Sequence, residues 1–173
     1  MINIIRQASL NDIDSLMEIF EIARCFMKRT GNPHQWINGY PQRDFLLEEI
    51  NQGHCMVCLN ESNKIIATFC FIQGPDPTYS RIEEGEWISD EPYYVLHRLA
   101  SDASCHGIAD ACISWCKQHH TGLRADTHSD NLIMQHLLEK HGFQRCGIIH
   151  VLNGTPRIAY QYVSQTGNKE FGS

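Results

Sequence analysis

Four side chains able to exchange a proton gather around two apolar runs in the second half of the chain. His97 lies inside the run 93–99 and Glu86 stands shortly before it. Asp126 and His128 stand at the end of the next run, 123–127. A histidine titrates near neutral pH, and a carboxylate can act as a base or attract a cation. Each of the four could take the proton of an ammonium group, and they stand as alternatives. A strand histidine can equally be a satisfied structural residue. Downstream of His97, Ser101 to Ser104 are small and polar apart from Ala103, Gly107 permits a tight turn, and Ala109 to Trp115 read as the start of a helix. Strand, small-residue loop and helix N-terminus together make an anion site. Free N–H groups point out of the loop, and the helix dipole favours negative charge there. A pyrophosphate is the natural guest.

A second motif lies further on. Asn131 opens a short amphipathic helix that runs to Lys140 and closes on Gly142 and Phe143. With Gly107-Ile108-Ala109, it resembles the GNAT superfamily of acetyl-CoA-dependent N-acetyltransferases. That superfamily's first motif ends in Gly-x-Gly/Ala, and its second is an Asn, a helix and Lys-x-Gly-Phe. The likeness spans roughly residues 2–162. It implies an acetyl transfer from acetyl-CoA, the co-substrate, to a primary amine that attacks the thioester directly within a ternary complex. It also implies that two neighbouring strands splay to admit the pantetheine arm. Backbone groups at Leu99 and Ala100 would polarise the thioester carbonyl. Amides of Ser104, Cys105, His106, Gly107, Ile108 and Ala109 would hold the pyrophosphate, and Asn131 would bond the arm. The loop containing Trp36 and Tyr40 would wall the acceptor cleft, although these rings could instead cover the edge of the core.

Two positions depart from the family pattern. Ser104 stands where an Arg or Gln is usual, and Leu138 where many members carry a Tyr that protonates the departing thiolate. Both departures favour the alternative function, a non-catalytic acyl-CoA-binding or sensing module.

Periodicity supplies the elements that must position these residues. Alternation over residues 2–7 predicts a strand. Ser9 or Asn11-Asp12 caps a helix with Ile13, Leu16, Met17, Ile19, Phe20 and Ala23 on its apolar side, ended by Gly31 and Pro33. Residues 43–52 make a second amphipathic helix. Residues 54–59 and 64–72 read as an antiparallel hairpin. Gly74 to Pro77 is a turn, and residues 79–85 are polar and read as a lid or a loosely held loop. A helix over 108–119 and a strand over 123–127 precede the Asn131 helix, which Ser129 or Asp130 would cap. Strands over 145–152 and 157–163, turned at Asn153-Gly154, complete the pattern. The expected fold is α/β (α+β), a single mixed and mostly antiparallel sheet flanked by helices. One domain would span residues 1–165, with a disordered tail over 166–173.

Composition sets the outer bounds. At 173 residues the chain can bury a continuous core. A net charge of −6 argues against a nucleic-acid groove. No segment approaches the ~20 apolar residues of a membrane span, and no export signal is evident. The expected setting is cytoplasmic, as monomer or homodimer, with a small-molecule or peptide amine as partner and neither nucleic acid nor membrane. Eight cysteines without an export signal read as reduced and buried. Cys112, Cys116, His119 and His120 lie close together, but the paired ligand blocks of a zinc site are absent, so no metal is expected.

Overall fold

A computed structural model describes residues 1–165; the expected tail over 166–173 lies outside the described residues. The chain runs β1 (Ile2–Gln7), α1 (Ile13–Arg29), α2 (Arg43–Asn51), β2 (Cys55–Asn60), β3 (Ile65–Gln73), β4 (Tyr94–Ser101), α3 (Ile108–His119), β5 (Gly122–Thr127), α4 (Leu132–Lys140), β6 (Gln144–His150) and β7 (Pro156–Val163). Seven strands form one sheet in the order β1-β2-β3-β4-β5-β7-β6. Only the β4–β5 pair is parallel. The mixed, mostly antiparallel sheet expected from the sequence is the one found. No helix among the described residues is long and apolar enough to cross a membrane.

Strand alternation sorts the sulfurs and apolar side chains onto two faces. Cys55, Val57 and Leu59 meet Leu16, Phe20 and Leu46 beneath α1 and α2. Met56 and Cys58 turn the other way, into a core shared with Ile113, Cys116 and Leu138 of α3 and α4. The four residues considered for zinc go to separate places: Cys112 and Cys116 into that core, His119 onto the Trp115 ring, and His120 back onto the Gly122 carbonyl. The helix α1 follows a short turn whose Ser9 and Asp12 form a capping box, and Arg6 of β1 holds Asp12 at 2.8 Å.

Two irregularities in β4 shape everything near His97. Its pairing with β5 is confined to Tyr94–Leu123 and Val95–Arg124, so beyond Val95 the two strands part. On its other edge a bulge sets Arg98 and Leu99 against Phe69 alone, between the Thr68–Ala100 and Cys70–His97 pairs. Arg98 has a φ of 54°, in the left-handed region. Consecutive strand residues ordinarily face opposite ways. Here His97 reaches toward Tyr79 and Arg98 toward Tyr40 and Glu49, both on the α1–α2 side.

The segment 74–93 covers that same side over β4, β5 and β7. Within it, residues 79–85, whose polarity suggests a lid or a loosely held loop, are held to the sheet at Tyr79 and Glu83. Tyr79 is fully buried with Val95, Ile149 and Ala159. The Trp87 indole donates to the Tyr79 carbonyl at 3.0 Å, and the Gln161 amide brackets the backbone of Ile88 and Ser89. Arg124 lies between the Trp87 and Tyr93 rings, 3.9 and 4.0 Å from their centres. Two glycines permit the closest approach. A Cβ at Gly85 would run into the Cys146 carbonyl, and one at Gly147 into the Glu83 carbonyl, where Glu83 and Ile148 form a β-bridge. Gly147→Ala should therefore lower stability by about 1–3 kcal/mol, the usual cost of overpacking. A urea midpoint equal to that of the wild type would show that the cover yields without loss.

Candidate active site

His97 leaves β4 at the point where β5 has parted, and its ring enters a cluster of acidic and phenolic groups. Its Nε2 lies 2.9 Å from Asp76 Oδ2, and its Nδ1 lies 3.8 Å from Asp126 Oδ2. Tyr79 donates its hydroxyl to the same Asp126 oxygen at 2.7 Å. Asp76 is itself fixed, accepting from the Thr78 amide and hydroxyl. Burial raises the Asp76 pKa, but the hydrogen bonds from His97 and Thr78 outweigh it and bring it down to about 2. Burial, reinforced by the Asp126 charge, pushes Tyr79 well above the ordinary phenol range. An ionised Asp76 can only accept, so the proton between it and His97 belongs to Nε2. In the neutral ring Nδ1 then carries the lone pair, and it faces Asp126.

Of the four sequence candidates, His97 and Asp126 come together. Glu86 is exposed and has no hydrogen bond or ion pair to the cluster among the described residues. His128 lies one step further along, its Nδ1 accepting from the Asp130 amide at 3.0 Å. Asp76 and Tyr79 escaped the sequence reading, because a turn with two prolines and a polar run carry no periodic signal. One signal was present: prolines at 75 and 77 stiffen a segment rather than loosen it.

The loop between α1 and α2, expected to wall an acceptor cleft, lies against Asn131 and Arg157. Trp36 packs edge-on against Phe20, 5.4 Å between centres, and so belongs partly to the core. Tyr40 receives a hydrogen bond from Arg98 at 3.1 Å. The tether of this loop is Gln35, which the sequence did not single out. Its side-chain oxygen accepts from Asn32 and from Asn131, each at 2.9 Å. Its backbone carbonyl accepts from Arg157.

The anion loop has the backbone such a site needs. Leu99 and Ala100 lie near the end of β4, beyond the parting of the strands, where its β5-facing edge has no strand partner. Ala103 and Gly107 have φ of 56° and 80°, which curls the intervening amides into a concave turn. Gly107 is the N-cap of α3 without a side-chain cap, so the first-turn amides of Ile108, Ala109 and Asp110 lack the partners a cap would supply. Cys105 is half-buried against the core, and His106 is exposed. The Ser104 amide, by contrast, is already taken by Asp102 at 2.9 Å. The two acids flanking the loop each face a cation: Asp102 meets Lys64, and Asp110 meets Lys140 and His141. An open strand edge leading to uncapped amides fits an extended arm ending in phosphate.

Asn131 differs from its sequence reading in one respect. Asn131 itself, not Ser129 or Asp130, caps α4, its Oδ1 accepting from the Met134 amide at 3.0 Å. Leu138, at the expected position of a proton-donating Tyr, is wholly buried with Ile113, Phe143 and Tyr160.

The sequence model described as the acetyltransferase (GNAT) family matches residues 16–143. The chain belongs to the GNAT acetyltransferase family. An acetyltransferase of this family from Streptococcus agalactiae is 33% identical, with 94% of this chain and 95% of that chain covered and a TM-score of 0.84. One from Listeria monocytogenes is 18% identical over 92% of this chain and 94% of its own, at a TM-score of 0.71. A phosphinothricin acetyltransferase from Sinorhizobium meliloti, in complex with AcCoA, is 17% identical over 95% and 90%, at 0.62. The last two share the fold. No curated protein matches the chain.

Two outcomes follow for the acetyltransferase. Asn131→Ala should cost about 1 kcal/mol through the lost cap, whereas Asn131→Asp keeps the cap and should recover most of it. Equal losses in both variants, read by urea unfolding, would assign the stability to the Gln35 bridge instead. Asp76 has a folded pKa of about 2 against an ordinary 3.8. Its contribution is thus present above pH ~4 and lost as the pH falls through about 2. Asp76→Asn should be less stable than wild type by about 2 kcal/mol near neutrality, a gap that closes toward pH 2. A gap independent of pH would mean that the ionised carboxylate contributes nothing.

Proposed function

We propose that this acetyltransferase transfers an acetyl group from acetyl-CoA to a primary amine by direct attack within a ternary complex, with His97 as the general base. The observation that carries the reading is the placing of His97. It sits where β4 and β5 part, with one ring nitrogen held by an ionised carboxylate and the other facing a second carboxylate. When bound, acetyl-CoA supplies the activated acetyl group.

The chain's own residues then divide the work. Asp126, steadied by Tyr79, attracts the cationic amine to the cleft, and His97 Nδ1 takes its proton. Asp76 stabilises the imidazolium that results, the orienting role of a third group behind a base. Backbone groups at Leu99 and Ala100 polarise the thioester, and the amides around Gly107 to Ala109 hold the pyrophosphate. Asn131 caps α4 and, through Gln35, fixes the loop that carries Trp36 and Tyr40 over the cleft. No side chain on α4 protonates the thiolate at the Leu138 position. A thiolate is a modest base and can leave without one.

The buried Leu138 and the engaged Ser104 amide favour a second reading, a module that binds acyl-CoA without turning it over. One experiment separates them. His97→Gln should lower kcat by ~10²–10⁴ with acetyl-CoA affinity unchanged by calorimetry. Equal turnover in the variant would remove His97 from the chemistry. Tight acetyl-CoA binding by the wild type, with no thiol release over a broad amine screen, would establish the second reading.

A further inference from the structure

A cation lies near the carboxylates at His97, on the strand that neighbours Asp126. Arg157, at the start of β7, is 6% exposed and has no carboxylate within ion-pairing distance among the described residues. Its guanidinium donates to three neutral oxygens: the Thr155 hydroxyl, the Pro156 carbonyl and the Gln35 carbonyl, at 3.0, 3.0 and 3.1 Å. The remaining N–H groups of its fork have no partner among the described residues.

A buried cation without a counter-charge is costly, and proteins keep such groups paired. The two other highly buried arginines show this by contrast. Arg98 has Glu49 at 2.7 Å, and Arg124 lies between two aromatic rings. Arg157 has neither. Its charge reaches His128: burial lowers the His128 pKa, Arg157 lowers it further, and Asp130, 3.6 Å from Nδ1, acts the other way. The Asp130 amide occupies His128 Nδ1, so the neutral ring carries its proton on Nε2 and offers a second donor. Gln35 ties this corner to Asn131 and to the acceptor loop, so the corner belongs to the cleft and not to a remote surface.

We propose that Arg157, with His128 beside it, receives a carboxylate of the acceptor, so that the amine acetylated is an amino acid or a close relative bearing both charges. The ammonium end meets Asp126 and His97, and the anionic end meets Arg157. The planar fork suits an oxyanion better than an ammonium head would. This rests on the acetyl-transfer reading for the orientation of the amine, but not for the existence of the anion subsite.

The test pairs the common L-amino acids with their α-carboxamides, which differ only in that charge. Binding to the CoA-saturated protein is measured by calorimetry, and turnover by thiol release. The expected result is an acid preferred over its amide by roughly tenfold or more in both measurements. In Arg157→Gln the preference should vanish while acetyl-CoA affinity stays unchanged, and Arg157→Lys should keep part of it. Selective binding of acids without turnover sustains the subsite and sinks the catalytic reading. Acids and amides turned over alike overturn the subsite and leave the catalytic reading standing. Binding of no member, or a preference that survives in Arg157→Gln, also overturns the subsite.

Discussion

A buried ion pair holds the bend in the central strand on which the site depends. Arg98 adopts a left-handed backbone at the bulge of β4 and donates to Glu49 of α2 at 2.7 Å, with both side chains largely out of water. A non-glycine residue in that conformation costs about 1–2 kcal/mol, and its Nε lies buried without a hydrogen-bond partner. The compensation is local. Glu49 and the Tyr40 hydroxyl take up the fork, and the Phe45 ring lies 4.8 Å beneath it. Were the bulge ironed flat, Arg98 would turn to the α3 side and meet the apolar core there. Breaking a buried pair by losing one partner typically costs about 3–5 kcal/mol, so the strand has little freedom to straighten.

The consequence for His97 is geometric. The bulge ends the regular β3 ladder just after it, and the parting from β5 begins just before it. The imidazole therefore stands at the mouth of the gap, with its back to a sheet too stiff to let it drift. The cover segment supplies both Asp76 and Tyr79, and it is held by contacts to β5, β6 and β7. Its role is thus to bring two groups to a histidine that belongs to another part of the chain. Arg124 lies two residues before Asp126 on the same strand face. Clasped by Trp87 and Tyr93 of the cover, it fastens the segment close to the acid it helps to place.

Charges of both signs meet around β5 and β7. Asp76 and Asp126 flank His97, and Arg157 on the neighbouring strand feels the charge of Asp126. The acids near the anion loop are matched by Lys64, Lys140 and His141. Gln35 touches Asn32, Thr127, Asn131 and Arg157 with one side-chain oxygen and one carbonyl. Through it, the acceptor loop, the α4 cap and the arginine keep a common position.

By itself the sequence determined the elements and the glycine turn that opens α3. Those features are local: a period of two or 3.6 residues, a Gly where the backbone turns before α3, an Asn before a helix that closes on Gly142. The order of the elements and the two motifs were enough for the family. The tertiary structure decided which groups meet. Asp76 and Tyr79 sit in a stretch whose composition says only turn, and their partners lie on β4 and β5. Gln35 was hidden beside a more conspicuous Trp36. The choice of Asn131 over Ser129 or Asp130 as cap turned on where the backbone entered the helix, which three adjacent polar residues leave open. The bulge at Arg98 had no sequence mark, since no glycine stands there and the left-handed turn is imposed by Glu49 and Tyr40. Side chains contributed from distant segments acquire their roles only when the sheet is assembled, because burial, charge pairing and tautomer are properties of neighbours and not of spacing.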